Sequence, residues 1–227
     1  YDPTFLEKHE VKCIQHDSKG RVWLGIDNGM FMSDGSKNSN SFKYFHINGN
    51  SVNTICEDRF GTIWIGTLRS GLWKLNPQNS EFKRVRISND PLSNYVNQIS
   101  VSSSGVIVST KGGLYIVNSS DDVKLRLTTL EGLPHNNIKS AIEDSDGRVW
   151  IGSNGNRVCY YSEGKIRFVE KGETHRIIDV NYIIEDEKKR LWFGTNGHGL
   201  HILEGSKVTN LTTESGLASD FIYSLIK

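Results

Sequence analysis

Apolar residues along this chain come in short runs separated by polar turns, and the runs recur. One reads VKCIQHD from Val11, VNTICED from Val52, VNQISVS from Val96, IKSAIED from Ile138 and VNYIIED from Val180, and a sixth, IYSLIK, starts at Ile222. Successive starts are 41, 44, 42, 42 and 42 residues apart. A second apolar segment follows each: GRVWLG at 20–25, GTIWIGT at 61–67, GVIVST at 105–110, GRVWIGS at 147–153 and RLWFGT at 190–195. The third copy is degenerate, with neither the Trp nor the Gly after it. Self-similarity at a fixed period has to be settled before single elements are assigned, because it determines the architecture.

Each period divides in the same way. The first run ends in an acidic pair and a turn, as in Glu143-Asp144-Ser145-Asp146-Gly147, where Asp can bond the turn backbone and Gly supplies a positive φ. A β-branched and aromatic strand follows, then a Gly-rich turn such as Arg69-Ser70-Gly71 or Lys111-Gly112-Gly113. A third strand is predicted over 72–76, 114–118 and 200–204, and a weaker fourth over 42–46, 82–85, 123–127 and 166–169. No segment keeps helical spacing between capping signals. The pattern predicts an all-β chain, a β-propeller of four-stranded antiparallel blades with about five blades present. First strands do not alternate strictly: Val52 and Ile55, like Val180 and Ile183, fall on opposite faces of a regular strand, as expected where a blade is covered on both sides. Residues 1–227 are read as one partial propeller. Residues 1–10 are expected as an outer strand of a preceding blade and 222–227 as the first strand of a following one, within a larger propeller of six to eight blades.

Composition acts mainly by exclusion. Lys and Arg number 27 against 26 Asp and Glu, so the net charge is +1 and the basic footprint of a duplex-binding domain is missing. With 36% hydrophobic residues the chain is globular, and no apolar run approaches the roughly 20 residues that span a bilayer. Cys13, Cys56 and Cys159 are too few and too scattered for a disulfide framework or a zinc site, and their redox state is not readable.

The repeat Trp residues precede Leu24, Ile65, Ile151 and Phe193 and not the Asp of WD40 blades, and kelch blades run longer. The sequence resembles the two-component-regulator propeller repeat, whose pattern is close to G-L-P-x-N-x-V-x-x-I-x-E-D-x-x-G-x-L-W-I-G-T-x-x-G-G-L. The best match runs through Gly132-Leu133-Pro134-His135-Asn136-Asn137-Ile138, Ile142-Glu143-Asp144 and Gly147-Arg148-Val149-Trp150-Ile151-Gly152. Departures are Lys189 in place of the turn Gly, the third repeat, and Asn154-Gly155-Asn156-Arg157 in place of the Gly-Gly turn. The resemblance implies the periplasmic sensor region of a hybrid two-component histidine kinase, detection of an oligosaccharide, a homodimer in the full-length protein, and a membrane helix outside this chain. Nucleic-acid partners and cofactors are not expected.

Candidate chemistry divides into repeated and idiosyncratic residues. Trp23, Trp64, Trp150 and Trp192 recur once per blade and are read as structural packing between blades, as is Trp73 in a third strand. The pairs Glu57-Asp58, Glu143-Asp144 and Glu185-Asp186 could be mistaken for glycosidase carboxylates, but recurrence disperses them around a ring, and turn capping is the preferred reading. His198 and His201 lack companions at metal-ligand spacing, so no metal site is expected, and no nucleophile elbow or phosphate loop is present. The loop between strands two and three should share a face with the loop entering the next blade. Ligand-binding candidates on that face are Arg69, Lys111, His135, Asn154, Arg176, Asn196 and His198, with the cations suited to a uronate or sulfate. No catalytic residue is assigned. A polysaccharide lyase or hydrolase, and a protein-binding scaffold with an exposed apolar patch, remain the alternatives.

Overall fold

The computed structural model describes residues 9–33, 42–47, 50–155, 157–168 and 177–226. These form five four-stranded antiparallel sheets, each in simple sequential order. Blade one comprises β1 (Val11–His16), β2 (Val22–Ile26), β3 (Gly29–Ser33) and β4 (Phe42–His46). Blade two comprises β5 (Val52–Glu57), β6 (Ile63–Thr67), β7 (Leu72–Asn76) and β8 (Glu81–Val85). Blade three comprises β9 (Val96–Ser102), β10 (Gly105–Thr110), β11 (Gly113–Val117) and β12 (Val123–Leu127). Blade four comprises β13 (Ile138–Glu143), β14 (Val149–Ser153), β15 (Cys159–Ser162) and β16 (Lys165–Phe168), and blade five β17 (Val180–Glu185), β18 (Leu191–Thr195), β19 (Leu200–Glu204) and β20 (Lys207–Leu211). Residues 1–8, expected as an outer strand, lie outside the described residues.

First strands line a central cavity of about 800 Å³. Their apolar spacing has a different cause from the one predicted. Val52 and Ile55 lie in one cluster against blade one, and Val180 and Ile183 in one cluster against blade four. A register shift falls between Val52 and Thr54, and another between Val180 and Tyr182. Such a bulge inserts one residue, so positions three apart return to the same face. The bulged residues are Lys12, Asn53, Asn97, Lys139 and Asn181.

The bulge also solves an edge problem. The innermost strand of each blade has a free edge toward the axis, and its backbone groups need partners. Asn53 and Asn97 donate their amides to the carbonyls of Val96 and Ile138, the first residues of the next blade's inner strand, at 3.2 and 2.6 Å, and Asn181 donates to the Ile222 carbonyl at 3.2 Å. In return Thr54, Gln98 and Ser140 accept from the N–H groups of Ile99, Ala141 and Ile183. Neighbouring first strands are thereby joined through side chains.

Between blades the layers are apolar. Trp23, Trp64 and Trp150 are fully buried, each packed against the following blade. Trp192 is half-buried because it faces past blade five. Trp73 fills the layer between blades one and two, as expected. Val11 and Ile14 are 42% and 63% exposed, whereas their counterparts Val52 and Ile55 are 0% and 6% exposed. The face of blade one turned away from blade two is therefore uncovered among the described residues. The first strand expected over 222–227 is not formed among the described residues: contact with blade five is limited to an isolated bridge between Asn196 and Phe221 and the Ile222 N–H donating to the Thr195 carbonyl.

The Gly after each repeat Trp sets the blade spacing. A Cβ on Gly66 would lie 2.5 Å from Val96, on Gly152 2.8 Å from Val180, and on Gly194 2.7 Å from Ile222. Blade three has Ser109 at this position, and the Oγ is buried without a partner. Gly152→Ala should destabilise the chain by about 1–3 kcal/mol through overpacking, read as a lower denaturant midpoint. A neutral effect would show that the blades are not in close contact there.

Candidate functional site

The acidic pairs were the first chemical candidates, and their two members do different work. Asp58 accepts N–H groups from Phe60 and Thr62 with one oxygen and the Trp64 indole N–H, at 2.7 Å, with the other. Asp17, Asp144 and Asp186 repeat this with Trp23, Trp150 and Trp192 at 2.8, 2.7 and 2.9 Å. In those three blades an Arg four residues on adds a bond of 2.6–2.7 Å from Nε to the same carboxylate. Its guanidinium then lies over the Trp ring at 5.3–5.5 Å. The Asp thus closes the hairpin, as expected, and also fixes the Trp that fills the layer between blades. Gly20, Gly61 and Gly147 close the turn at φ 76–78°, and Lys189 takes the same left-handed conformation at φ 60° in blade five.

The neighbouring Glu reaches the preceding blade instead. Glu57 accepts from Ser18 N–H and Oγ at 2.6 and 2.8 Å, and Glu185 from the same groups of Ser145 at 2.9 and 2.8 Å. Glu143 binds Ser103 in the same fashion. Blade three carries Val101 and Ser102 where blades two, four and five have Glu-Asp and blade one has His16-Asp17, and the turn it would have gripped offers Arg59 in place of Ser. Both halves of that clasp are missing together. The rim supplies a substitute, since Lys74 and Lys83 of blade two both pair with Asp121 of blade three. With their oxygens committed in this way the carboxylate pairs form no acid–base dyad.

The opposite face carries the candidate ligand residues. Loops between second and third strands do meet the loops entering blades there: Leu68 N–H donates to Ser51, Gly71 to Asn94, Lys111 to Tyr95, Asn154 to Asn137 and Asn196 to Asp179. Thr67, Thr110 and Thr195 hold the upper turns by hydroxyl bonds to the carbonyls of Gly71, Gly113 and Gly199. Blade four has Ser153 there, its Oγ is unpartnered, and Arg157 instead bridges to Ile178.

Several of the sequence-derived candidates are committed to this scaffold. His135 Nδ1 accepts from Asn137 N–H at 2.8 Å, Asn196 donates to Asp179 at 3.0 Å, and Lys111 lies 4.7 Å from the centre of the Tyr95 ring. Arg69, Asn154 and His198 are exposed. Arg176 lies outside the described residues. Two clefts of about 490 Å³ open on this face. One lies beside Arg86, Asp90 and Arg126; the other is lined by Ile178, Gly197, His198, His201, Asn210, Thr212 and Asp220. Arg86, Arg126 and Asn210 were not picked out from the sequence, because residues in and just after the fourth strands repeat too weakly to show which face they take.

Three segments, 46–69, 132–155 and 178–197, match the family model described as two component regulator propeller. These three segments are two-component regulator propeller repeats. No curated protein matches the chain. Among solved structures it is similar to the extracellular domain of BT3049 from B. thetaiotaomicron, described as a hybrid two component system, at TM-score 0.76 and 22% identity over 92% of this chain and 29% of that one. The extracellular domain of BT4673 from the same organism gives TM-score 0.73 and 20% identity over 90% and 31%. Virginiamycin B lyase from Staphylococcus aureus gives TM-score 0.71 and 14% identity over 88% and 69%. At such identities the likeness is one of fold. The chain spans less than a third of the length of the two-component relatives. No described helix is long and apolar enough to cross a membrane.

The Asp–Trp turns make acid sensitivity predictable. Burial pushes the Asp17 carboxyl up, but bonds from Trp23 and Arg21 outweigh it and hold the pKa below its ordinary value. Asp186 is held well below the usual carboxylate range by bonds from Trp192, Arg190 and Lys188, again against burial. A depressed folded pKa contributes stability that is complete above the unfolded value near 4 and is lost as pH falls through the folded value. Thermal melts should therefore give a midpoint that drops below about pH 4, less steeply in Asp17→Asn than in the wild type. Equal slopes would remove Asp17 from the account.

Proposed function

We propose that this chain is a ligand-sensing, non-catalytic propeller segment in the extracytoplasmic region of a hybrid two-component sensor kinase, facing the periplasm. The matched regulator-propeller repeats carry this reading, and the fold shared with extracellular domains of two such systems supports it. The ligand class we infer is an oligosaccharide, met on the face built from the blade-entering loops and the loops between strands two and three. Arg69, Asn154 and His198 present side chains to solvent on that face. In the full-length protein a homodimer would carry the signal. A ligand that binds one dimer arrangement more tightly shifts the kinase equilibrium by that difference in affinity.

Calorimetric titration of the intact protein with oligosaccharide fragments of several polysaccharides tests the reading. At least one fragment should give saturable heat, weakened several-fold by Arg69→Ala for a uronate or sulfated fragment. Binding of a protein partner with no response to any fragment would support the scaffold reading instead, and turnover of a fragment would make the segment an enzyme.

A further inference from the structure

A polar atom that loses water on burial needs a protein or ligand partner, and native exceptions call for an explanation. Among the described residues Arg21, Trp73, Ser109, Ser153 and His201 keep a buried nitrogen or oxygen with neither a hydrogen bond nor an ion pair at that atom, and in His201 both ring nitrogens are in this state. His201 is 2% exposed. Of these it is also the one that lines a described cavity, the cleft of about 490 Å³ at the upper end of blade five.

Packing does not call for an imidazole here. In register with His201 the other blades carry Phe31, Trp73, Tyr115 and Cys159, and the Tyr115 hydroxyl is satisfied by the Gly112 carbonyl. Burial pushes the His201 pKa down, against a pull from the His198 carbonyl, which stays outside hydrogen-bond geometry. The neutral ring has one N–H donor and one bare acceptor nitrogen. A hydroxyl group satisfies either one, accepting from the first or donating to the second.

The rest of the lining narrows the ligand. Asn210 is the cross-strand partner of His201 and shares its face of the sheet. Asp220 places a carboxylate in the cleft while accepting from Thr213 N–H at 2.7 Å. No Lys or Arg lines the cleft among the described residues, and beside the imidazole of His198 its lining carries the Asp220 carboxylate, which disfavours an acidic ligand. Ile178 and Gly197 supply an apolar border for the C–H face of a sugar ring. The volume lies in the range of small-molecule sites, about 300–1,000 Å³.

We propose that the blade-five cleft binds a neutral sugar residue, its hydroxyls completing the hydrogen bonds of His201 and contacting Asn210 and Asp220. This rests on the sugar-sensor reading and differs from the uronate or sulfate expected at the cationic loops.

His201→Phe tests it, because Phe occupies the same position in blade one and removes both unpartnered atoms. Titration of the intact protein would use neutral gluco-, galacto- and manno-configured disaccharides alongside the corresponding uronates. At least one neutral disaccharide should bind the wild type and bind His201→Phe about tenfold or more weakly, while the Tm of the variant is unchanged or raised by about 2–4 °C. Asn210→Ala, a substitution on an exposed strand position, should weaken the same sugar without lowering Tm. Neutral sugar binding that survives both substitutions, or binding of uronates alone, overturns this inference and leaves the sensor reading standing. Failure of every saccharide to bind the wild type overturns both.

Discussion

Each of four hairpins in this chain turns on one carboxylate. Asp17, Asp58, Asp144 and Asp186 use one oxygen to close a turn and the other to hold an indole N–H. Turn geometry and interblade packing are thereby tied to one side chain. A Trp buries a large area but offers one donor, and a donor left unmade in an apolar layer is costly. Placing the acceptor at the turn fixes the ring where the next blade requires it. The Gly two residues after the Trp then lets that blade's first strand approach. Blade three lacks the Asp, the Trp and the Gly together, with Ser102, Ile107 and Ser109 in their places, which is what interdependence of the three predicts.

The clasp between blades follows a similar logic. Glu and Ser are kept as a pair at three blade junctions and lost as a pair at the fourth, where the lysines around Asp121 take over. Near the axis, bulged Asn residues and the side chains that follow them join one first strand to the next. One face therefore holds carboxylate-locked hairpins with little freedom to vary. The other holds loops that share less: a Thr hydroxyl caps the turn in blades two, three and five, but Ser153 leaves its Oγ unpartnered in blade four and blade one has Ile26 there. Differences between the blades therefore collect on the second face.

The period, the four-strand blade and the structural role of the Trp residues were legible because each is written five times or nearly so. The third and fourth strands were placed to within a residue at most positions; 42–46, 72–76, 123–127 and 200–204 coincide with β4, β7, β12 and β19. The bulge was not legible: Asn53 reads as an ordinary strand residue, so the three-residue apolar spacing was ascribed to burial on both faces. Lys189 stood out as a departure, but that it keeps the left-handed turn of the Gly it replaces needed the backbone. On the face of the blade-entering loops, one-letter identity separated neither His135, whose Nδ1 is spent on its own loop, from His198, nor buried His201 from either. Those distinctions depend on loop contacts that occur once each and leave no repeat to read.

The account depends most on the carboxylate–indole bonds, and nitrogen-detected exchange at the five Trp side chains addresses them directly. In a ¹⁵N-labelled protein the indole N–H groups of Trp23, Trp64 and Trp150 should exchange with solvent as slowly as the core strands, and Asp144→Asn should accelerate Trp150 alone among them. Rapid exchange at these three in the wild type, or no change at Trp150 in the variant, would contradict the claim that the turn carboxylate holds the blade together.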